Sequence, residues 1–363
     1  MINFYPGPSQ IAPDMASYMT DAVESGILGM NHRSREFMTL LKKTKKVLRK
    51  KLMIPEDYEI IMTSSATECW EIIAQSLATE LSYHIFNGAF GEKWFTYTQR
   101  IHSKTLGLRY DPEDKLSPKN LDLSEGSSLI CLTQNETSNG TRIDKATLQG
   151  FRESFPDPLI AIDATSSMAG DLLDFKLADV WFASVQKCFG LPSGMAVMVL
   201  SPKAVETAYR INERNHYNSL PFVLDNFRKN QTPYTPNILS IYLLYRTLKR
   251  RSAIEKTSAR LLKRKERLIK TLSKSKYLDL LIGNVEVRSN TVIAIKGERK
   301  TLSELKNQAL AAGMILGNGY GEWKNTTIRI ANFPAVSQSE WKTLRQFLKN
   351  FDPEPAQSES ATE

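Results

Sequence analysis

The feature that most constrains the fold is a series of short apolar runs, rich in β-branched residues, each ending in a polar cluster and followed by a helical pattern. The runs are Glu59–Met62 (EIIM), Leu129–Leu132 (LICL), Leu159–Ile162 (LIAI), Val180–Ala183 (VWFA) and Met195–Leu200 (MAVMVL). Near-continuous apolar strands of this kind are buried on both faces, and the helices between them provide crossovers. The expected fold is α/β with a large, mainly parallel sheet. After about residue 240 the texture changes. A long basic helical stretch is followed by EVRSNTVIAIKG, the helical LSELKNQALAAG, the strand-like TTIRIANF and a last helix, SQSEWKTLRQFLKNF. That order suits a smaller α+β domain. The expected division is an N-terminal segment 1–14, a large domain 15–240, a small domain 241–351 and a disordered, acidic tail 352–363.

The 363 residues suffice for two unequal domains, and 41% hydrophobic with 24% charged residues is ordinary for a soluble globular chain. No apolar run approaches the ~18 residues that span a bilayer. The opening MINFYPGPSQ shows no basic stretch followed by an apolar core, and Cys69, Cys131 and Cys188 form no CxxC pair. A reduced, cytoplasmic protein without a metal site is expected. The net charge of +9 raises the question of a nucleic-acid partner. It is concentrated in residues 249–276, where twelve Lys or Arg face two Glu. Ile254, Leu261, Leu262, Leu268, Ile269 and Leu272 recur there at helical spacing, so the stretch reads as an amphipathic helix with a solvated basic face. No aromatic residues interleave with the charges, which argues against nucleic acid, as the rest of the chain does against a membrane.

In open α/β sheets ligands bind beyond the carboxyl ends of the strands, so the residues after each run carry the chemistry. After EIIM comes Thr63-Ser64-Ser65-Ala66-Thr67-Glu68, small hydroxyl residues at a helix start. Free N–H groups there suit a phosphate, or the serine is an ordinary N-cap. After LICL comes Thr133-Gln134-Asn135-Glu136-Thr137-Ser138-Asn139-Gly140, a polar turn. After LIAI comes Asp163, a carboxylate behind four apolar residues that needs a cationic or hydrogen-bonding partner unless it caps a helix. After VWFA comes Ser184-Val185-Gln186-Lys187, a lysine set among apolar residues; desolvation there favours the free amine, unless the side chain snorkels to solvent. A phosphate cradle, an acid and an amine at one sheet edge are what pyridoxal phosphate requires. The amine binds the aldehyde, the acid keeps the pyridine nitrogen protonated, and N–H and hydroxyl donors hold the phosphate.

Several motifs then carry a resemblance. Tyr5-Pro6-Gly7-Pro8-Ser9, His32-Arg33-Ser34 with Phe37, NET-x-x-G at Asn135–Gly140, D-x-x-SS at Asp163–Ser167, QK-x-x-G at Gln186–Gly190, Gln231–Thr235 and Ile328–Asn332 are found along nearly the whole chain. The chain resembles the class V group of fold-type I aminotransferases, and within it most closely the phosphoserine aminotransferases. The resemblance implies that Lys187 is the Schiff-base lysine and proton shuttle, and that Asp163 pairs with the pyridinium. It implies that Ala66, Thr67 and Gln186 hold the cofactor phosphate, that Phe90 stacks on the ring and that Thr137 bonds the ring oxygen. Arg329, helped by Ser9, would clamp the substrate α-carboxylate. A homodimer with shared active sites is implied, in which Thr232, His32 and Arg33 reach across from the partner subunit. The implied reaction passes the amino group of L-glutamate to 3-phosphohydroxypyruvate.

There are departures from the family pattern. A Gly-Gly-x-Arg turn is replaced by Ser64-Ser65-Ala66-Thr67, and a His-Arg pair shortly before Arg329 is replaced by Glu322-Trp323-Lys324-Asn325, with Lys324 as the available substitute. The alanine– and serine–glyoxylate aminotransferases, which act on small 2-oxo acids, share the Asp and Gln-Lys segments and are the alternative reading. A desulfurase is disfavoured, because Cys131 and Cys188 sit at strand ends and Phe90 holds the stacking place. A binding protein built on residues 249–276 would leave Asp163 and Lys187 unexplained.

Overall fold

The computed structural model describes residues 1–123 and 126–353. The chain opens with β1 (Ile2–Phe4), α1 (Met15–Glu24) and α2 (Arg35–Leu52). Strands and helices then alternate through β2 (Glu59–Thr63), α3 (Ala66–Ser76), β3 (Ser82–Phe86), α4 (Ala89–Ile101), β4 (Thr105–Arg109) and β5 (Leu129–Thr133). A hairpin of β6 (Asn135–Glu136) and β7 (Thr141–Arg142) leads to α5 (Lys145–Ser154), β8 (Leu159–Asp163), β9 (Val180–Ser184) and β10 (Ala196–Leu200). Next come α6 (Pro202–Ile211), α7 (Leu220–Arg228), α8 (Ile238–Arg250) and α9 (Ile254–Leu272). The described chain closes with β11 (Asp279–Leu280), β12 (Val292–Lys296), α10 (Arg299–Ala311), β13 (Met314–Asn318), β14 (Thr327–Ala331) and α11 (Gln338–Asn350). The expected tail lies, beyond Pro353, outside the described residues.

Among the described residues, seven strands form one sheet in the order β2-β10-β9-β8-β5-β3-β4. All are parallel except β10, which runs antiparallel to both β2 and β9. Its apolar run reads like the others because composition reports burial on both faces and is blind to strand direction. Residues of β5, β8, β9 and β10 are buried throughout, with helices on the sheet faces. The fold is the α/β architecture expected.

A second sheet has the order β1-β13-β14-β12-β11, so the first strand of the chain joins the C-terminal strands. It has its own core, which includes Phe4, Leu268, Ile330 and Trp341. The capping box on α11, where Ser337 and Glu340 satisfy each other's backbone N–H groups, secures the final helix against this sheet. α8 packs on α2, and its buried residues belong with the first core, which continues past residue 240 to Ile254 and also takes in Val292, Ala331 and Phe333.

The basic helix α9 needs one correction. Two of its cations do not face solvent. Arg264 Nη1 donates to the Val336 carbonyl at 2.9 Å, and Lys265 Nζ donates to Asn290 Oδ1 at 2.5 Å. Long stems let both residues cross apolar surface and end on buried acceptors. Among the described residues, no helix is long and apolar enough to cross a membrane.

Candidate active site

Because β2, β5, β8 and β9 run in one direction, the segments that follow them meet at one sheet edge. Asp163 pairs in register with Thr133 and Phe182 on its two sides, while Ser184 and Thr63 flank Ala196. A cavity of about 270 Å³ opens there. Ala66, Thr67, Phe90, Thr137, Asp163, Gln186, Lys187 and Arg329 all line it. The structure therefore gathers eight of the twelve expected site residues, drawn from both halves of the chain.

Lys187 lies in the turn after β9 and is buried. Its Nζ donates to Thr137 Oγ1 at 3.0 Å and stands 5.1 Å from the centre of the Phe90 ring. Burial lowers its pKa to about 8; the attraction of Asp163 opposes this and loses, while Arg329 adds to the lowering. At pH 7 about a tenth of such lysines hold a free amine, against fewer than one in a thousand at the ordinary value. The amine is thus poised as a nucleophile and a base.

Asp163 ends β8. Its Oδ1 accepts the Thr165 N–H at 2.8 Å and its Oδ2 accepts Trp70 Nε1 at 3.3 Å. Burial pushes its carboxyl up, and those two hydrogen bonds and Lys187 pull it back without reversing the direction. A cation placed against this carboxylate would relieve that cost, as a pyridinium nitrogen does. The Thr165 side chain, on the cavity wall, adds a further hydrogen-bonding interaction that favours the Asp163 carboxylate. Ala66 and Thr67 open α3, with Ser65 capping through the Glu68 N–H and Ser184 Oγ accepting from Ala66 N at 3.3 Å. The positive end of that helix faces an anion's natural place. These donors fit pyridoxal phosphate.

Arg329 comes from the second sheet, on β14, and is buried. Its Nη1 donates to the Thr137 carbonyl at 2.9 Å and its Nε to the Asn318 carbonyl at 2.8 Å, and burial lowers its pKa. Thr137 is accordingly a node: its hydroxyl accepts from Lys187 and donates to Ser166 Oγ, while its carbonyl holds Arg329. One residue links the amine to the guanidinium.

Four expected residues are not in the cavity lining. Ser9 is spent on Gln186, donating through both N and Oγ to its carbonyl at 3.2 and 2.9 Å. Thr232 Oγ1 donates to the Tyr234 carbonyl at 2.7 Å. Arg33 is exposed and reaches Asn226 Oδ1 at 3.1 Å and Gln231 Oε1 at 2.5 Å, with His32 beside it. Lys324 is exposed and also outside the lining.

Sequence reasoning passed over three residues. Trp70 supports Asp163; it lies three residues after Thr67 on α3, a spacing that places both on one helix face. Glu136 stands in the polar turn after β5 but acts as a remote N-cap of α4. Its Oε2 accepts from Phe90 N at 3.2 Å and Gly91 N at 3.1 Å. Gly88 is needed at that contact, since a Cβ there would meet Glu136 Cγ at 2.4 Å. Tyr320 stacks on Phe90 with ring centres 5.0 Å apart and lines the cavity. Only its Gly-Tyr-Gly setting, a turn signal, could have drawn notice.

Comparison with known proteins agrees with this geometry. The family described as aminotransferase class-V matches residues 3–316. A phosphoserine aminotransferase of Rhodococcus opacus (strain B4) is 26% identical over 358 residues, covering 95% of this chain and 93% of the relative. The crystal structure of a phosphoserine aminotransferase from Cytophaga hutchinsonii superposes with a TM-score of 0.92 at 31% identity, over 96% of this chain and 98% of that one. An alanine–glyoxylate aminotransferase from Nostoc sp. shares the fold, with a TM-score of 0.80 at 19% identity over 96% and 95% of the two chains.

Proposed function

The chain belongs to the class V aminotransferases, which are pyridoxal-phosphate-dependent, and from that premise we propose that it moves the amino group of L-glutamate to 3-phosphohydroxypyruvate, yielding 2-oxoglutarate and O-phospho-L-serine. The observation that carries the reading is one cavity that holds a buried amine, a buried carboxylate and a buried guanidinium, Lys187, Asp163 and Arg329. When bound, the cofactor supplies an electron-withdrawing ring that stabilises charge developing at the substrate α-carbon.

The chain's own residues supply the rest. Asp163 holds a proton at the ring nitrogen. Ala66, Thr67 and Gln186 take the cofactor phosphate, Phe90 stacks on the ring and Thr137 bonds its oxygen. Arg329 orients the substrate through its α-carboxylate, a fork matched to a planar anion. Lys187 Nζ, held by Thr137, removes the α-carbon proton and returns it one atom further along. The buried walls exclude water that would compete for that proton.

His32, Arg33 and Thr232 lie away from the cavity of their own chain. We place them in the second site of a homodimer, where His32 and Arg33 meet the distal phosphate and Thr232 the cofactor phosphate. A second reading, an alanine–glyoxylate type of aminotransferase, is favoured by the missing arginine at Ala66-Thr67. The experiment mixes the yellow holoenzyme with L-glutamate, O-phospho-L-serine, L-alanine or L-serine and follows the visible band in a single turnover. Fast bleaching by glutamate and phosphoserine is expected. Fast bleaching by alanine but not phosphoserine would replace the proposal with the second reading.

A further inference from the structure

We propose that Lys93 and Tyr320 form a subsite, within the same chain as Lys187, that shares the distal anionic group of the substrate with the His32–Arg33 pair proposed above. This rests on the amino-acid specificity proposed above and supplies one cation in place of those of the family pattern that this chain lacks. Lys93 and Lys324 are both exposed and outside the cavity lining, but Lys93 is joined to the lining by its hydrogen bond to Tyr320.

Tyr320 is held in place by the backbone around it. It sits in the loop between β13 and β14, flanked by glycines that cannot be replaced cheaply. A Cβ on Gly319 would meet the Trp323 carbonyl at 2.2 Å and Thr327 Oγ1 at 2.7 Å. Gly321 takes φ of +59° close to Ala89, at the start of α4. The loop is therefore pressed against the helix that carries Phe90 and, three residues on, Lys93.

The tyrosine ring stacks on Phe90 at an interplanar angle of 13°, with Arg329 Cζ 5.4 Å from its centre and Lys93 Nζ 4.9 Å from it. A short amino acid clamped by its α-carboxylate on Arg329 can therefore reach Tyr320 and Lys93 with its far end. Lys93 Nζ donates to Tyr320 Oη. The phenol oxygen acts as acceptor in that bond, so its own O–H remains to donate, and a neighbouring ammonium strengthens that donation. Charge supports the assignment. Glu92 and Glu322, on the same two elements, pair with Arg109 at 3.8 and 2.5 Å. Among the described residues no carboxylate forms an ion pair with Lys93, so its charge is not neutralised locally.

The test compares kcat/KM for O-phospho-L-serine with kcat/KM for L-alanine, using holoenzyme of wild type, Lys93→Met, Lys93→Arg and Tyr320→Phe. Lys93→Met and Tyr320→Phe are expected to lower that ratio about tenfold, through KM for phosphoserine, while Lys93→Arg retains most of it. An unchanged ratio in both, or an equal loss with alanine, overturns the subsite. If wild type does not turn over phosphoserine, the phosphoserine reading falls on its own. The subsite is then judged by the same ratio with L-glutamate, whose distal carboxylate it should also take.

Discussion

Lys187, Asp163, Thr137 and Arg329 are buried and all contribute to one cavity, whereas His32 and Arg33 lie outside it, with Arg33 bound to Asn226 and Gln231 at the surface. The first group is held by the ends of parallel strands and by β14, rigid supports that fix side chains before any ligand arrives. The second group hangs on the loop before α2 and has solvent in front of it. A single chain thus completes the chemistry of the α-carbon but leaves its expected distal clamp pointing elsewhere. Residues of the first kind can be judged from one subunit. Those of the second kind have a role only if another copy covers them, as the proposed dimer requires.

That contrast can be broken at several points. The largest effect is expected from Lys187→Ala, which removes the proposed proton carrier and should slow the single-turnover reaction with glutamate by about 10² to 10⁴-fold. A loss below tenfold would remove Lys187 from the inner group. Arg33→Ala should raise KM for phosphoserine about tenfold with kcat little changed. Mixing Arg33→Ala with Lys187→Ala sharpens the point. If Arg33 works across a two-fold interface, hybrid dimers carry one site with both residues intact, and the low KM returns. Failure to recover it, with subunit exchange verified, would sink the shared site.

The smallest effect concerns pH. Only the neutral amine of Lys187 attacks an aldehyde, and burial lowers its pKa to about 8. The rate at which apoprotein takes up pyridoxal phosphate should therefore rise with pH and level off above about 8. Asp163 favours the ammonium form. Asp163→Asn should consequently move the midpoint to lower pH, as read by stopped-flow absorbance. A midpoint that moves upward would show that Asp163 does not act on Lys187 in this way.

Much of the inner group was legible because strand ends in an α/β sheet have predictable chemistry. Asp163 follows its apolar run directly and Lys187 lies in the turn just beyond another, so their meeting at one edge follows from periodicity and strand direction. Glu136 was visible as part of a motif, yet its work, capping α4 beneath Phe90, depends on a contact 46 residues away in sequence. Trp70 bonds Asp163 across 93 residues. No local pattern encodes either pairing, since a helix face shows which residues are inside but not what they meet there. The basic stretch 249–276 shows the converse. Its helical period is plain, but the burial of Arg264 and Lys265 depends on where Val336 and Asn290 come to rest.

The amino-acid sequence by itself determined the layered α/β class, the sheet edge that carries chemistry and the amine–acid pair at its centre, because each depends on short-range pattern and strand direction. Tertiary structure alone decided which residues meet at the mouth of the cavity. It brought the Gly-Tyr-Gly loop of the second sheet against the first turn of α4, and so set Tyr320 between Arg329 and Lys93. The physical reason is that contacts between two separately packed cores are fixed by the docking of whole surfaces, and surface docking leaves no period in the sequence.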